Sequence, residues 1–475
     1  VIRLTLADVT AAVGGRIEPD AASSADAAAS QDVTASVVVD SREIEPGGLF
    51  VARVGEHQDG HDFVVAAAEA GAVAAIVERP VDGAAVPQIV VEDSERAMGL
   101  LARAVLDRLP SLTVVGVTGS SGKTTTKDLL SQVLAPLGPV VAPPGSYNTE
   151  VGVPLTALRV TEATRTLVAE MGARGVGHIE YLCGITPPQI GVVLNVGSAH
   201  VGEFGGRDAI ARAKSELVRA LGPDGTAVLN GDDPMVRRMA EQTEAEVLMV
   251  GESVHADVRA EDLRLDERGC ASFTLVTPAG TAPVRLAFVG EHQVSNALSV
   301  AGVAHTLGMS PEQIGAQLTE ARPLSRWRME VTERPDGVTV VNDAYNANPE
   351  SVRAALKTLV SMAGGRRTWA VLGEMLELGD ASAAEHDAIG RLAVRLNINR
   401  LVVVGEGARP MYQGASLEGS WAGETVWVPD RAAAEELLAK ELGTDDVVLV
   451  KSSRDAGLRY LGDSLVAADA GEDTE

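Results

Sequence analysis

The stretch LTVVGVTGSSGKTTTKDLL, residues 112–130, decides the fold. It opens on an apolar, largely β-branched run and closes on a segment that places Leu129, Leu130, Val133 and Leu134 at helical spacing. Between them, TGSSGKTTTKD (118–128) reads as a phosphate loop joining a strand to a helix. Gly119 and Gly122 let backbone N–H groups turn toward phosphate oxygens, and the helix N-terminus adds positive potential. Lys123 is placed to reach the β- and γ-phosphates, and the Thr124 hydroxyl to ligate Mg²⁺. Ser120, Ser121 and Thr125 complete the predicted nucleotide cradle. The usual GxxxxGK[ST] spacing would put glycine at position 117, where this chain has valine. The strand before the loop and the helix after it carry the reading instead.

Comparable apolar runs recur outward from this point: VVVD (37–40), AAIVE (74–78), TLVAEMG (166–172), IGVVLNVG (190–197), VTVVNDAY (338–345), RTWAVLGE (367–374), RLVVVGEG (400–407) and DVVLVKSS (446–453). Runs this short, flanked by Gly, Asp or Asn and separated by helical patterns, suit strands buried on both faces. They predict an α/β chain with parallel sheets. A length of 475 residues suggests about three domains. The punctuation at DRLPSLTVV (107–115) and ARPLSRWRMEV (321–331) divides the chain into 1–108, 109–322 and 323–475. DAASSADAAASQD (20–32) reads as a surface loop, and the acidic end VAADAGEDTE as a frayed tail.

The formal net charge of −26, with no Lys/Arg-rich stripe to offset it, argues against nucleic acid as a partner. An anionic substrate must therefore be met by local devices. The two cysteines, Cys183 and Cys270, lie in apolar stretches and form no metal or redox motif, so they read as core thiols. No signal-like N-terminus or long apolar run is present, which predicts a cytoplasmic protein without a membrane span.

Three further residues fall where such a cradle would be served. Glu170 ends the strand TLVAE, and His200 lies just beyond GVVLNV; carboxyl ends of parallel strands are where ligands bind. Together they could hold a metal ion, although a salt-bridged Glu and a hydrogen-bonded His would look the same in sequence. Lys214 sits in RDAIARAKSELVRAL (207–221) within the apolar stripe of Ile210, Ala213, Leu217, Val218 and Leu221. A lysine there must snorkel, pair or lose its charge; a neutral amine could take up carbon dioxide as a carbamate and ligate metal.

Taken together these residues resemble the Mur ligases, a three-domain family of ATP-dependent amide ligases of bacterial peptidoglycan synthesis, and the resemblance runs along nearly the whole chain. The family's phosphate loop takes the shortened form TGSSGKT found here. The resemblance implies an N-terminal domain that binds the UDP-muramoyl substrate, a central P-loop domain with a parallel sheet, and a Rossmann-like C-terminal domain that closes on ATP and binds the incoming amine. It implies ATP and Mg²⁺ as cofactors, two ions in all, with Thr124, Glu170, His200 and a carbamylated Lys214 as ligands.

By the same resemblance Asn296 of GEHQVSNALSVAG (290–302) contacts adenine, although Gln293 stands where the family usually has asparagine. Arg328 of SRWRMEV and Asp343 of NDAYNANPES match groups that reach across to nucleotide phosphate and ribose. Ser41 and Arg42 fall in the segment that holds uridine diphosphate, and Asn148 and Thr149 in the one lining the muramoyl-peptide channel. Asn346, Asn348, Lys451 and Arg454 are expected at the incoming amine, while Asn348 with Pro349 also fits a helix N-cap. Ser452 replaces the glycine of the family's usual VKGSR motif.

YNANP and the ELGD of GEMLELGD (373–380) are similar to the family member that joins D-alanyl-D-alanine to UDP-N-acetylmuramoyl-tripeptide, and a monomer is expected. The nearest alternative adds diaminopimelate or lysine to the dipeptide precursor. Its DNPR-like motif is approached only by DDPM (232–235), in the wrong unit. A P-loop switch or motor would need the cradle but not Glu170, His200 and Lys214 around it.

Overall fold

The computed structural model describes residues 2–20, 24–55, 57–197, 206–420 and 423–467. Its centre is the strand Thr113–Thr118, buried except at its first residue. Thr166–Glu170 pairs with it on one side and Ile190–Val193 on the other, both parallel. The pairings Glu170↔Val117 and Val193↔Thr118 bring the carboxyl ends of all three strands level. Strand order reverses about this central strand, the arrangement that opens a crevice at the carboxyl edge of a sheet.

Both faces of this strand are covered, as its uninterrupted apolar run requires. Leu129, Leu130 and Val133 of the helix Lys123–Val133, with Val294, Ala297 and Leu298 of Gln293–Thr306, form the core on one side. Ile210, Leu217 and Val218 of Arg207–Arg219, with Ile179 and Leu182 of His178–Ile185, form it on the other.

The sheet has nine strands and is mixed, which departs from the parallel sheet expected. Beyond Ile190–Val193 it continues in parallel through Thr226–Asn230 and Glu246–Gly251 to Val258–Leu265. It then turns antiparallel with Cys270–Thr277 and Gly280–Val289. The last two strands alternate buried and more exposed residues, the period of a sheet with one wet face. The link between them is too short for a parallel crossover.

A six-stranded sheet organises the C-terminal part. All its strands are parallel except the edge strand Glu330–Glu333, which is antiparallel to Thr339–Asn342. Near the N-terminus is a five-stranded sheet with Arg16–Glu18 as its antiparallel edge. The segment expected as a loop over 20–32 instead contains a helix, Ala25–Ala29, capped by Ser24, and the strand Asp32–Val33 paired with Leu4–Thr5. Its alanines supply the helix propensity, and Ala28 is fully buried. Most of the acidic tail lies outside the described residues.

The first two units share a core. Met98, Leu101 and Val105 of the helix Ser94–Asp107 lie in one apolar cluster with Leu112, Val114, Leu158, Leu167 and Ile185 of the central part. At the other junction the Gln132 amide accepts from the Arg322 N–H at 3.0 Å and donates to its carbonyl at 2.9 Å, pinning the linker. Among the described residues no helix is long and apolar enough to cross a membrane. Both cysteines are buried and free, and burial pushes the Cys183 thiol up to about 12.

In the C-terminal part the helices Ser382–Arg395 and Arg409–Leu417 pack closely because glycines face each backbone. A β-carbon on Gly390 would overlap the Met411 carbonyl, and one on Gly414 the Asp387 carbonyl. Gly390→Ala should therefore lower stability by about 1–3 kcal/mol, the usual cost of overpacking, as read from urea unfolding. An unchanged midpoint would show that the pair separates freely.

Candidate active site

A cavity of about 640 Å³ opens at the carboxyl edge of the central sheet and is closed from above by the C-terminal part. Among the described residues, every site candidate drawn from the sequence lines it except Ser41 and Arg42. His200 lies outside the described residues.

The helix Lys123–Val133 begins at Gly122, whose φ of +83° is left-handed, and no side chain caps it. An uncapped N-terminus leaves backbone donors for an anion. A β-carbon on Gly122 would overlap Asn296 Oδ1, so glycine is required by space as well as by φ. Lys123 Nζ donates to the Gly119 carbonyl at 2.7 Å, folding back over its own loop. Burial lowers the Lys123 pKa; the charge of Glu170 opposes this and that of Arg328 reinforces it.

Asn195 is a loop-holding residue that the sequence reading missed. Its Oδ1 accepts from the N–H groups of Ser120 and Ser121, each at 2.9 Å, and its amide donates to the Ser121 carbonyl at 3.2 Å. It lay in the quoted IGVVLNVG, but a polar residue after a strand carries no signal of what it will hold. Gln293 links its neighbours: its side-chain Oε1 accepts from Asn296 at 2.8 Å, and its Nε2 lies 3.1 Å from His292 Nε2. Asparagine is thus not needed there to orient Asn296.

Beside the loop, Glu170 is 1% exposed. Its Oε1 accepts from Asn148 at 2.8 Å and from the Thr124 hydroxyl at 3.4 Å. Its Oε2 is buried without a partner. A buried carboxylate oxygen left so is costly, and beside a threonine hydroxyl it has the chemistry of a hard-cation site. Asn148 therefore faces Glu170, and the Thr149 hydroxyl accepts from the Gly152 N–H at 3.4 Å. Among the described residues no set of three His, Cys, Asp or Glu forms a metal cluster.

Lys214 is 6% exposed, so it does not snorkel to solvent. Its pKa lies well below the usual lysine value, first because burial disfavours the ammonium and then because Lys123 is a like charge nearby. A depressed pKa makes the amine a nucleophile, as carbamate formation requires.

The C-terminal part supplies the far wall. Arg328 reaches across to donate to the Thr124 and Ser146 hydroxyls at 3.3 and 3.2 Å, and its guanidinium stacks 4.2 Å from the Tyr345 ring centroid. Its Nε is buried and unpartnered. Asp343 accepts from the Met329 N–H at 3.0 Å and from Lys451 Nζ at 2.6 Å. Lys451 also donates to the Asn346 carbonyl at 2.9 Å. Lys451, only 2% exposed, thus braces Asp343 from beneath the cavity and does not present a free ammonium to it. Asn348 caps the helix Pro349–Ala363, accepting from the Ser351 N–H, and its amide touches the Ser120 carbonyl at 3.4 Å. Asn346 and Arg454 expose their side chains at this wall.

Ser41 and Arg42 lie apart, on a 3-10 turn of the first unit, where the exposed Arg42 pairs with Asp40 and holds that carboxyl near about 2. The DDPM segment is structural: Asp233 caps the helix Pro234–Arg237 and accepts from the Val196 N–H at 2.8 Å.

The chain matches the Mur ligase family catalytic domain over residues 34–105, the Mur ligase middle domain over 117–304 and the Mur ligase glutamate ligase domain over 327–454. It is 49% identical to the UDP-N-acetylmuramoyl-tripeptide–D-alanyl-D-alanine ligase of Mycobacterium tuberculosis (strain ATCC 25618 / H37Rv), with 99% of each chain covered. Among solved structures, MurF from Acinetobacter baumannii superposes with a TM-score of 0.87 at 33% identity, covering 98% of this chain and 99% of that one. MurF ligase from Thermotoga maritima in complex with ADP gives 0.78 at 32% identity, covering 90% and 96%.

The depressed pKa of Lys214 has a consequence for stability. Between its folded value and the ordinary value of about 10.4, the unfolded chain binds the extra proton, so this group makes stability rise with pH. Lys214→Met, in buffer stripped of carbon dioxide, should be more stable than the parent below the folded value. The gap should shrink as pH climbs toward the ordinary lysine range. Urea unfolding across that span reads it, and a gap that widened with pH would contradict a neutral buried amine.

Proposed function

The chain belongs to the Mur ligase family, and we propose that it joins the terminal carboxylate of UDP-N-acetylmuramoyl-tripeptide to the amine of D-alanyl-D-alanine, converting ATP to ADP and phosphate. The observation that carries this reading is a single cavity with two kinds of wall. The phosphate loop and Glu170 stand on the central sheet, and Arg328, Asn346 and Arg454 face them from the C-terminal part. A nucleotide and an incoming amine can meet one carboxylate there.

In the proposed chemistry the tripeptide carboxylate attacks the γ-phosphate in line, giving an acyl phosphate and ADP. The open helix N-terminus and Lys123 hold the β- and γ-phosphates, and Arg328 meets charge on the transferring group. Asn296 serves the adenine, and Asp343 orders the loop that carries Arg328. Bound Mg²⁺, held by Thr124 and the unpartnered oxygen of Glu170, would neutralise phosphate charge. A second ion would draw on His200 and on Lys214 as its carbamate, formed when the amine adds to carbon dioxide and releases a proton. The uncharged amine of D-alanyl-D-alanine then attacks the acyl carbon, and phosphate leaves from the tetrahedral intermediate. Arg454 and Asn346 are assigned to the dipeptide, while Ser41 and Arg42 remain the proposed uridine-diphosphate contacts of the first unit. Closure over the acyl phosphate keeps water from intercepting it. We place this reaction in the cytoplasm and read the enzyme as a monomer.

The selectivity follows from charge. Diaminopimelate brings a second amine and a second carboxylate, and Lys451, the extra cation of this wall, is already engaged by Asp343. D-alanyl-D-alanine should exceed diaminopimelate or lysine by at least roughly 10²-fold in kcat/KM, the discrimination unmatched polar groups impose. Purified enzyme with ATP, Mg²⁺ and either the UDP-linked dipeptide or tripeptide would be offered each amine in turn. Sustained ADP release over many turnovers should require both the peptide carboxylate and the amine. Product from the dipeptide and diaminopimelate alone would overturn the assignment.

A further inference from the structure

Arg328 is held in an unusual backbone. The residues on either side of it, Trp327 and Met329, have φ of +58° and +49°, a region that bulky side chains rarely adopt. Such strain persists only where the surroundings over-determine it. Met329 is fixed by its N–H to Asp343 at 3.0 Å. Trp327 is fixed at three points. Its N–H donates to Glu330 at 2.9 Å, its carbonyl accepts from the Tyr345 N–H at 3.2 Å, and its indole N–H donates to both carboxylate oxygens of Asp463, at 3.0 and 3.2 Å. The guanidinium groups of Arg326 and Arg459 lie 4.9 and 5.5 Å from the indole centroid.

Asp463 sits on the helix Arg459–Ala467, more than 130 positions along the chain from the residue it holds. It also accepts from Arg326 at 2.9 Å and from the Asn342 amide at 3.4 Å. Its side chain is 32% exposed and belongs to no apolar core. What it does is tie the strained Trp327 to the body of the C-terminal sheet, so that the next side chain points out across the junction to Thr124.

We propose that Asp463, acting through Trp327, is a positioning residue for Arg328. The inference rests on the reading that Arg328 meets the nucleotide phosphates. Without the indole acceptor, Trp327 relaxes toward ordinary negative φ, and the Arg328 guanidinium swings away from the phosphate loop. The acceptor matters more than the charge, because the Arg326 partner is a half-exposed arginine whose pairing contributes little.

The test is a double-mutant cycle read as kcat/KM for ATP, with thermal unfolding of every variant as a check on folding. Asp463→Ala should lose roughly tenfold, a coupling typical of residues in one network, mostly through a higher KM for ATP. Asp463→Asn keeps an oxygen acceptor and should restore activity to within about threefold of the parent. Trp327→Phe removes the donor from the other side and should resemble Asp463→Ala. In an Arg328→Ala background, Asp463→Ala should cost nothing more. Equal losses in the two backgrounds, or an Asp463→Asn enzyme as impaired as the alanine variant, would overturn the positioning role while leaving Arg328 in place. An Arg328→Ala enzyme with unchanged kcat/KM would instead remove the nucleotide reading on which the inference depends.

Discussion

Burial of cationic side chains is the constraint on which the cavity turns, in a chain whose formal net charge is −26. Lys123, Lys214 and Arg328 line the same cavity; Lys123 feels the opposing charge of Glu170, and Lys214 the like charge of Lys123. Desolvation makes such crowding unfavourable unless something offsets it. The molecule answers in three ways: Lys123 folds onto a carbonyl, Lys214 is driven toward its neutral form, and Arg328 is stacked on Tyr345. The phosphates of ATP would offer all three groups a counter-charge at once.

The architecture serves that arrangement by mounting the cavity walls differently. The lower wall is the carboxyl edge of three strands in fixed register, backed on both faces by helices, so its groups cannot move independently. The upper wall comes from a separate sheet and meets the first both through polar reaches, Arg328 to Thr124 and Ser146 and Asn348 to the Ser120 carbonyl, and through an apolar cluster that Cys270 and Val289 share with Met329, Leu356 and Leu359. The polar reaches lie at the cavity itself, where substrates must enter and the chemistry must be enclosed.

Much of this was legible in the sequence because it is local. All nine apolar runs became strands, and the phosphate loop lies where strand and helix predicted it, since a buried strand and a glycine-bounded turn announce themselves over a few residues. What stayed hidden depends on distant partners. Nothing in NVG marks Asn195 as the residue holding the loop amides. Nothing in VKSSR says that Lys451 will be buried against Asp343, more than 100 positions earlier in the chain. The antiparallel end of the central sheet was missed for another reason. Its strands alternate instead of running apolar, so no continuous apolar run marks them.

The apolar cluster joining the first two units carries a consequence for how the molecule comes apart. The helix Ser94–Asp107 contributes one face to both sheets, so neither can melt without stripping the other of its cover. The two must behave as one cooperative block in heat or denaturant, and the cluster of Cys270 and Val289 with Met329 and Leu359 ties the C-terminal sheet to it. A nucleotide held between the phosphate loop and Arg328 would add to that coupling, because its binding energy is released only when both walls are folded.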